Sequence, residues 1–175
     1  STRKRTLFPY TTLFRSQTSS LKNRGASAVF ANSKAEALAL AHAITQDDWI
    51  SGEVPVIRPL QDYLRLGTTE KGLPIFHERR VFLYRGIPIS EGFYWASWAD
   101  KLDESLPEVD SDFWQAVATA AGRVSAVADF LVLDMAQYTD GHWGVVELND
   151  GCQAGISGGR ERELYTNLSK VTAFL

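Results

Sequence analysis

The sequence predicts an α+β fold with mainly antiparallel sheets. Three observations carry this. Strand-like runs meet at tight turns, at Arg85-Gly86 and at Asp140-Gly141. Helix starts are written in capping residues, Ser33-Lys-Ala-Glu36 and Asp112-Phe-Trp-Gln115. The segments run β-α-β, ββ, α, ββ, α, with no internal repeat. A chain of 175 residues can bury the core of one domain or of two small lobes. Hydrophobic content of 45% and charged content of 22% are those of a soluble globular protein. The net charge of −3 gives no general attraction to nucleic acid or to anionic membranes. A single cysteine, Cys152, excludes an intramolecular disulfide and a multi-cysteine metal site. No apolar run approaches the length of a membrane span, and no signal peptide with a cleavage site is visible, so the default location is cytoplasmic.

The first sixteen residues, STRKRTLFPYTTLFRS, are basic and then Thr- and aromatic-rich, without a clear period. Thr6–Ser16 resembles the conceptual translation of a common sequencing adapter, so 1–16 is read as a non-native segment and set outside the fold. The alternative is a natural disordered or strand-forming N-terminus. Gln17–Arg24 is polar loop, and Ala26–Ala31 is a short strand. Ser33 and Glu36 form a capping box before an Ala/Leu-rich helix that runs to about Thr45. Glu53–Leu60 has strand character, and Pro55 and Pro59 place it at an edge or a strand end. Gln61–Gly72 reads as a connector that could hold a short helical turn. Ile75–Tyr84 alternates as one strand, turns at Arg85-Gly86 and returns as Ile87–Trp95. Ala99–Asp110 is an acidic loop, solvated or a mobile cover. Asp112 opens a helix to about Val127. A hairpin follows, Phe130–Tyr138 and His142–Asn149, then a Gly-rich loop over Gly151–Gly159 and a terminal helix over Arg160–Ala173.

The second hairpin carries the most informative chemistry. With a two-residue Asp-Gly turn, Tyr138 faces Trp143, Ala136 faces Val145 and Asp134 faces Glu147, with Asn149 further along the same face. A three-residue loop breaks this register unless a bulge restores it. Opposed carboxylates lie about 5 Å apart at their roots, and at an effective dielectric near 20 their repulsion is roughly 3 kcal/mol. Three readings remain open: a hard cation lies between them, they share a proton, or the face is wet. The apolar neighbours Val132, Ala136 and Val145 argue against full exposure.

Taken with this hairpin, Glu78-Arg-Arg-Val-Phe before a turn and Asp134 followed by Glu147-Leu-Asn149 resemble the C-terminal portion of an ATP-grasp domain. VPVIRPLQDY is similar to that family's hinge strand, and HERRVFLYRGIPIS to its adjoining strand pair. The set resembles a bacterial and phage clade named for two arginines and a lysine, over roughly Gln17–Leu175. The resemblance implies a partial ATP-grasp domain over 17–175. It would have an N-terminal lobe remnant and hinge at 17–60, a C-terminal Mg·ATP lobe at 74–175, and an ATP cleft between the two partial lobes. It implies ATP and Mg²⁺ as cofactors, with Asp134, Glu147 and Asn149 as metal ligands. Hard oxygen donors suit Mg²⁺. Glu78 matches a ribose-binding acid, or is a surface glutamate. The backbone at Ile57 and Leu60 matches the adenine-reading hinge. Arg58 is a clade-marking arginine or a structural pair, and Lys22 is a nucleotide lysine or a loop lysine. Arg80 contacts phosphate or acylphosphate, or pairs with a nearby acid.

The implied function is an ATP- and Mg²⁺-dependent ligase of the carboxylate–amine type working through an acylphosphate. Its substrates would be small-molecule or peptide carboxylates and amines, with no nucleic-acid or membrane partner. Val132 stands where many relatives carry an arginine, and the family's first lysine falls in the adapter-like stretch. The expectation is therefore a fragment with little or no turnover. The alternatives are a non-catalytic nucleotide-binding remnant and a retaining glycosidase using Asp134 and Glu147. Gly155-Ile-Ser157-Gly-Gly159 also satisfies G-x-S-x-G, but a nucleophile elbow needs a strand–turn–helix setting.

Overall fold

The computed structural model describes residues 10–13, 30–31, 33–45 and 56–173. Two compact units are present, Ser1–Gln61 with Glu70–Leu73, and Asp62–Thr69 with Pro74–Leu175. In the first, β1 (Tyr10–Leu13) lies between β2 (Phe30–Ala31) and β3 (Val56–Pro59), antiparallel to both. β1 falls inside the adapter-like stretch, where Tyr-Thr-Thr-Leu gives strand propensity whatever its origin. Helix α1 (Lys34–Thr45) starts at the expected cap, with the Glu36 N–H donating to Ser33 Oγ at 3.2 Å. Pro59 ends an edge strand, as its missing N–H requires. Lys22 lies outside the described residues.

The second unit holds a two-stranded and a four-stranded sheet. The connector Gln61–Gly72 is not helical: β4 (Arg65–Thr68) lies within it and pairs with β5 (Pro74–Phe76). The expected strand Ile75–Tyr84 is likewise two strands, because His77 breaks it before β6 (Glu78–Tyr84). β6 turns through Arg85 and Gly86, at φ 49° and 78°, into β7 (Ile87–Phe93). Positive φ at both central residues is what a two-residue type I′ hairpin requires. After a 3₁₀ segment at Ala96–Lys101 comes α2 (Ser111–Val124). Its N-cap is Asp110, not Asp112: Asp110 Oδ1 accepts from Phe113 N–H at 2.9 Å. Strands β8 (Phe130–Gln137) and β9 (Trp143–Asp150) and helix α3 (Glu161–Thr172) complete the unit. The sheet order is β7-β6-β8-β9, all antiparallel.

Each face of this sheet has its own cover. Val81, Leu83, Leu133 and Met135 pack with Phe113 and Val117 of α2. Phe82 and Val132 pack with Ile89 and Leu164 of α3. A fully buried side chain such as Phe113 or Val117 contributes about 1.5–3 kcal/mol. Burial from both sides makes β6 a nearly continuous buried strand, although it begins Glu-Arg-Arg.

The β8–β9 turn differs from the two-residue loop expected. Tyr138 N–H donates to the His142 carbonyl at 2.8 Å, and Gly141, at φ 95°, donates to the Tyr138 carbonyl at 3.0 Å. The loop therefore has three residues, Thr139–Gly141, closed by a left-handed glycine. Trp143 faces Gln137 rather than Tyr138, and Ala136 faces Gly144 rather than Val145. A bulge between Asp134 and Met135 on the β8 side then absorbs one extra β9 residue, Val146, and Asp134 faces Glu147 after all. Trp143 and Glu147 are four residues apart and would share a face in a regular strand. The bulge sends Trp143 into the α2 core and Glu147 to the opposite face.

Candidate functional site

The face of the sheet that carries α3 at one end carries a polar cluster at the other. Strand alternation brings Glu78 and Arg80 of β6, Asp134 of β8 and Glu147 and Asn149 of β9 to this face. Arg80 stands directly across the ladder from Asp134. Its Nε donates to Asp134 Oδ1 at 2.8 Å and its Nη2 to Oδ2 at 2.7 Å, a bidentate fork. A third N–H, on Nη1, donates to the Gly155 carbonyl at 2.8 Å. The Tyr94 ring lies against the guanidinium, 4.8 Å from its carbon to the ring centroid. Burial pulls the Arg80 pKa down, but the hydrogen bonds and charge of Asp134 outweigh it and leave the pKa raised.

This geometry answers the electrostatic question raised by the acid pair. Asp134 is 0% exposed, so the wet-face reading is wrong there. Its counter-charge is an arginine from the neighbouring strand. Val132 and Ala136 are buried as expected, but Val145 is 47% exposed and, paired with Met135 beyond the bulge, lies on the other face of the sheet. Glu147 and Asn149 are partly exposed, and Asn149 Nδ2 points to Asp134 Oδ2 at 3.4 Å. Glu78 is buried, and its Oε2 accepts from Trp95 Nε1 at 2.9 Å. Ile57 and Arg58 lie in β3 and Leu60 follows it, all in the other unit.

The glycines around Gly151–Gly159 have a structural use. A Cβ at Gly92 would collide with the Gly159 backbone nitrogen, and one at Gly158 would come within 2.8 Å of the Phe93 carbonyl. The close approach that glycine permits is thus between this loop and β7, where Gly158 N–H donates to the Phe93 carbonyl. Gly151–Arg160 separates β9 from α3, too long a link for a nucleophile elbow around Ser157.

A family model matches residues 16–168; it describes an ATP-grasp domain, family 3 of the clade named for two arginines and a lysine. The chain belongs to this family. No curated protein and no solved structure matches it. The match takes in residues of both units and begins after all but the last residue of the adapter-like stretch, so β1 lies outside it. Among the described residues no helix is long and apolar enough to cross a membrane.

The donor set of this ATP-grasp domain can be set against the needs of a hard cation. No group of three His, Cys, Asp or Glu side chains among the described residues could hold a metal by itself. Asp134, Glu147 and Asn149 offer two carboxylates and one amide oxygen on one face, and Mg²⁺ commonly completes such a set with water and phosphate oxygens. Asp134 Oδ1 accepts one guanidinium N–H and keeps a lone pair, while Oδ2 accepts one guanidinium N–H and the longer Asn149 bond. The set therefore fits a cation that brings ligands of its own. Sequence reasoning missed Tyr94 and the Gly155 carbonyl. Tyr94 follows β7 beyond a register shift that breaks its alternation, and Gly155 reaches Arg80 only through the path of the loop.

Proposed function

We propose that this ATP-grasp domain binds Mg·ATP and activates a carboxylate as an acylphosphate for attack by an amine. The observation that carries the reading is the convergence of Asp134, Glu147 and Asn149 beside Arg80 on one sheet face, in a chain of this family. Asp134, Glu147 and Asn149 would hold Mg²⁺, which when bound neutralises phosphate charge and polarises the transferring group. Arg80 lies within reach of the same oxygens, and its two N–H bonds not directed at Asp134 or Gly155 are suited to a phosphate or acylphosphate. Glu78 is positioned by Trp95 and would accept from the ribose. Ile57, Arg58 and Leu60, with Lys22, would serve adenine and phosphate. Such a protein does its chemistry by positioning and charge neutralisation. Its substrates would be small-molecule or peptide carboxylates and amines, met in the cytoplasm where ATP is abundant.

Calorimetry of Mg·ATP binding tests the site. Asp134→Asn and Glu147→Gln should each weaken binding at least tenfold. Folded wild-type protein that binds no Mg·ATP, or unchanged affinity in both variants, removes the metal-site reading. Phosphate release with a panel of amine and carboxylate acceptors then separates a ligase from a nucleotide-binding remnant. The remnant reading draws on one observation, that both Asp134 oxygens are already engaged by Arg80.

A further inference from the structure

We infer that Arg80 occupies the place of the cation until nucleotide arrives, so that a divalent ion enters this site with the phosphates and not before them. The inference rests on the metal ligands proposed above and adds an order of binding to them. Its basis is the geometry of a single side chain. Arg80 is 8% exposed, and its guanidinium is bonded to both oxygens of a fully buried carboxylate. The Tyr94 ring and the Gly155 carbonyl hold it from two other directions. Asp134 is thus already neutralised by a fixed positive charge.

A divalent ion approaching Asp134 and Glu147 meets that charge at close range. It must also share oxygens that already accept from Arg80. Both effects disfavour the bare ion. Polyphosphate changes the balance in two ways. It brings negative charge and oxygen ligands for the ion, and it gives the guanidinium a second planar, multiply accepting partner. Arg80 can then leave Asp134 for phosphate while the ion takes its place. The two ligands are linked through one residue, so each must raise the affinity for the other by the same factor, commonly 5- to 150-fold for couplings of this kind.

The test measures Mn²⁺ binding by electron paramagnetic resonance, with and without ATP, in wild-type protein and in Arg80→Gln. The inference expects Mn²⁺ alone to bind Arg80→Gln at least tenfold more tightly than wild type, while metal-free ATP binds Arg80→Gln more weakly. Opposite signs for the two ligands distinguish displacement from a general loss of structure. The gain in Mn²⁺ affinity should vanish in Arg80→Gln/Glu147→Gln, which assigns it to this site. Arg80→Lys keeps the charge but cannot fork. It should show a smaller gain, and it carries the comparison if Arg80→Gln does not fold. Tight Mn²⁺ binding by wild type without ATP leaves the metal site standing and overturns the order of binding. Equal Mn²⁺ affinity in wild type and variants, or a gain that survives Glu147→Gln, overturns it too. Failure of Mn²⁺ to bind any form, with or without ATP, overturns both this inference and the metal site.

Discussion

Replacing Arg80 with methionine should cost the folded protein about 3–5 kcal/mol, because the fully buried Asp134 carboxylate loses its forked partner. Asp134→Leu should cost a similar amount for the mirrored reason. The guanidinium would retain the Gly155 carbonyl and the Tyr94 ring, neither of which carries a formal charge. Desolvating two ions largely offsets their attraction, so the pair is worth far less than either loss suggests. Arg80→Met/Asp134→Leu together should therefore lie within about 2 kcal/mol of wild type, since both charges of the fork go together and Glu78, which loses the Arg80 charge, keeps its Trp95 bond. Urea denaturation followed by tryptophan fluorescence and far-UV circular dichroism measures all three. At about 2–4 °C per kcal/mol for a chain of this size, the single variants should melt roughly 6–20 °C below wild type. A single variant that costs less than about 1 kcal/mol would mean water reaches Asp134 and the burial argument is wrong. A double variant as unstable as the two losses combined would mean the side chains act separately and the fork is not the unit of stability.

Two further outcomes follow from the same sheet. Burial first, and the Arg79 charge after it, lower the His77 pKa below its ordinary 6.5, although the Gln137 hydrogen bond opposes them. Unfolded His77 takes up a proton that folded His77 refuses, so stability is complete above pH 6.5 and falls as the pH drops from there toward the folded pKa. The loss is at most about 1.4 kcal/mol per pH unit. Urea midpoints across this range should show that slope in wild type and not in His77→Gln. Deleting Val146 would make β9 regular while leaving Trp143 and Glu147 on their present, opposite faces. The expected result is a melting temperature within about 4 °C of wild type and retained Mg·ATP binding. Loss of both would show that the bulge itself, not the facing it produces, is needed.

Much of the fold was legible residue by residue. Ser33 and Glu36 marked the start of α1, and Arg85-Gly86 marked a two-residue turn, because caps and turns are local chemistry. Asp110 was missed as the α2 cap because Asp112 offers the same side chain two residues later. Only the path of the chain before the helix decides which carboxylate meets the Phe113 N–H. β4 was missed because its pairing with β5 lies in tertiary structure, and Arg-Leu-Gly-Thr has little strand pattern of its own. The opposition of Asp134 and Glu147 was anticipated, but from the wrong turn. A longer loop and a compensating bulge shift the register twice and bring the same pair together.

By itself the sequence determined an α+β chain and its ATP-grasp family, because hairpins, caps and the spacing of Asp134, Glu147 and Asn149 are written in local order. Tertiary structure alone decided what faces Asp134 from its other side, away from Glu147. A strand's alternation says which side of a sheet a residue takes, but not which strand lies beside it. Placing β6 next to β8 put Arg80 across from Asp134, and the loop brought Gly155 to the same guanidinium. An acid that looked repelled by its neighbour is held by an arginine more than fifty residues away in the chain.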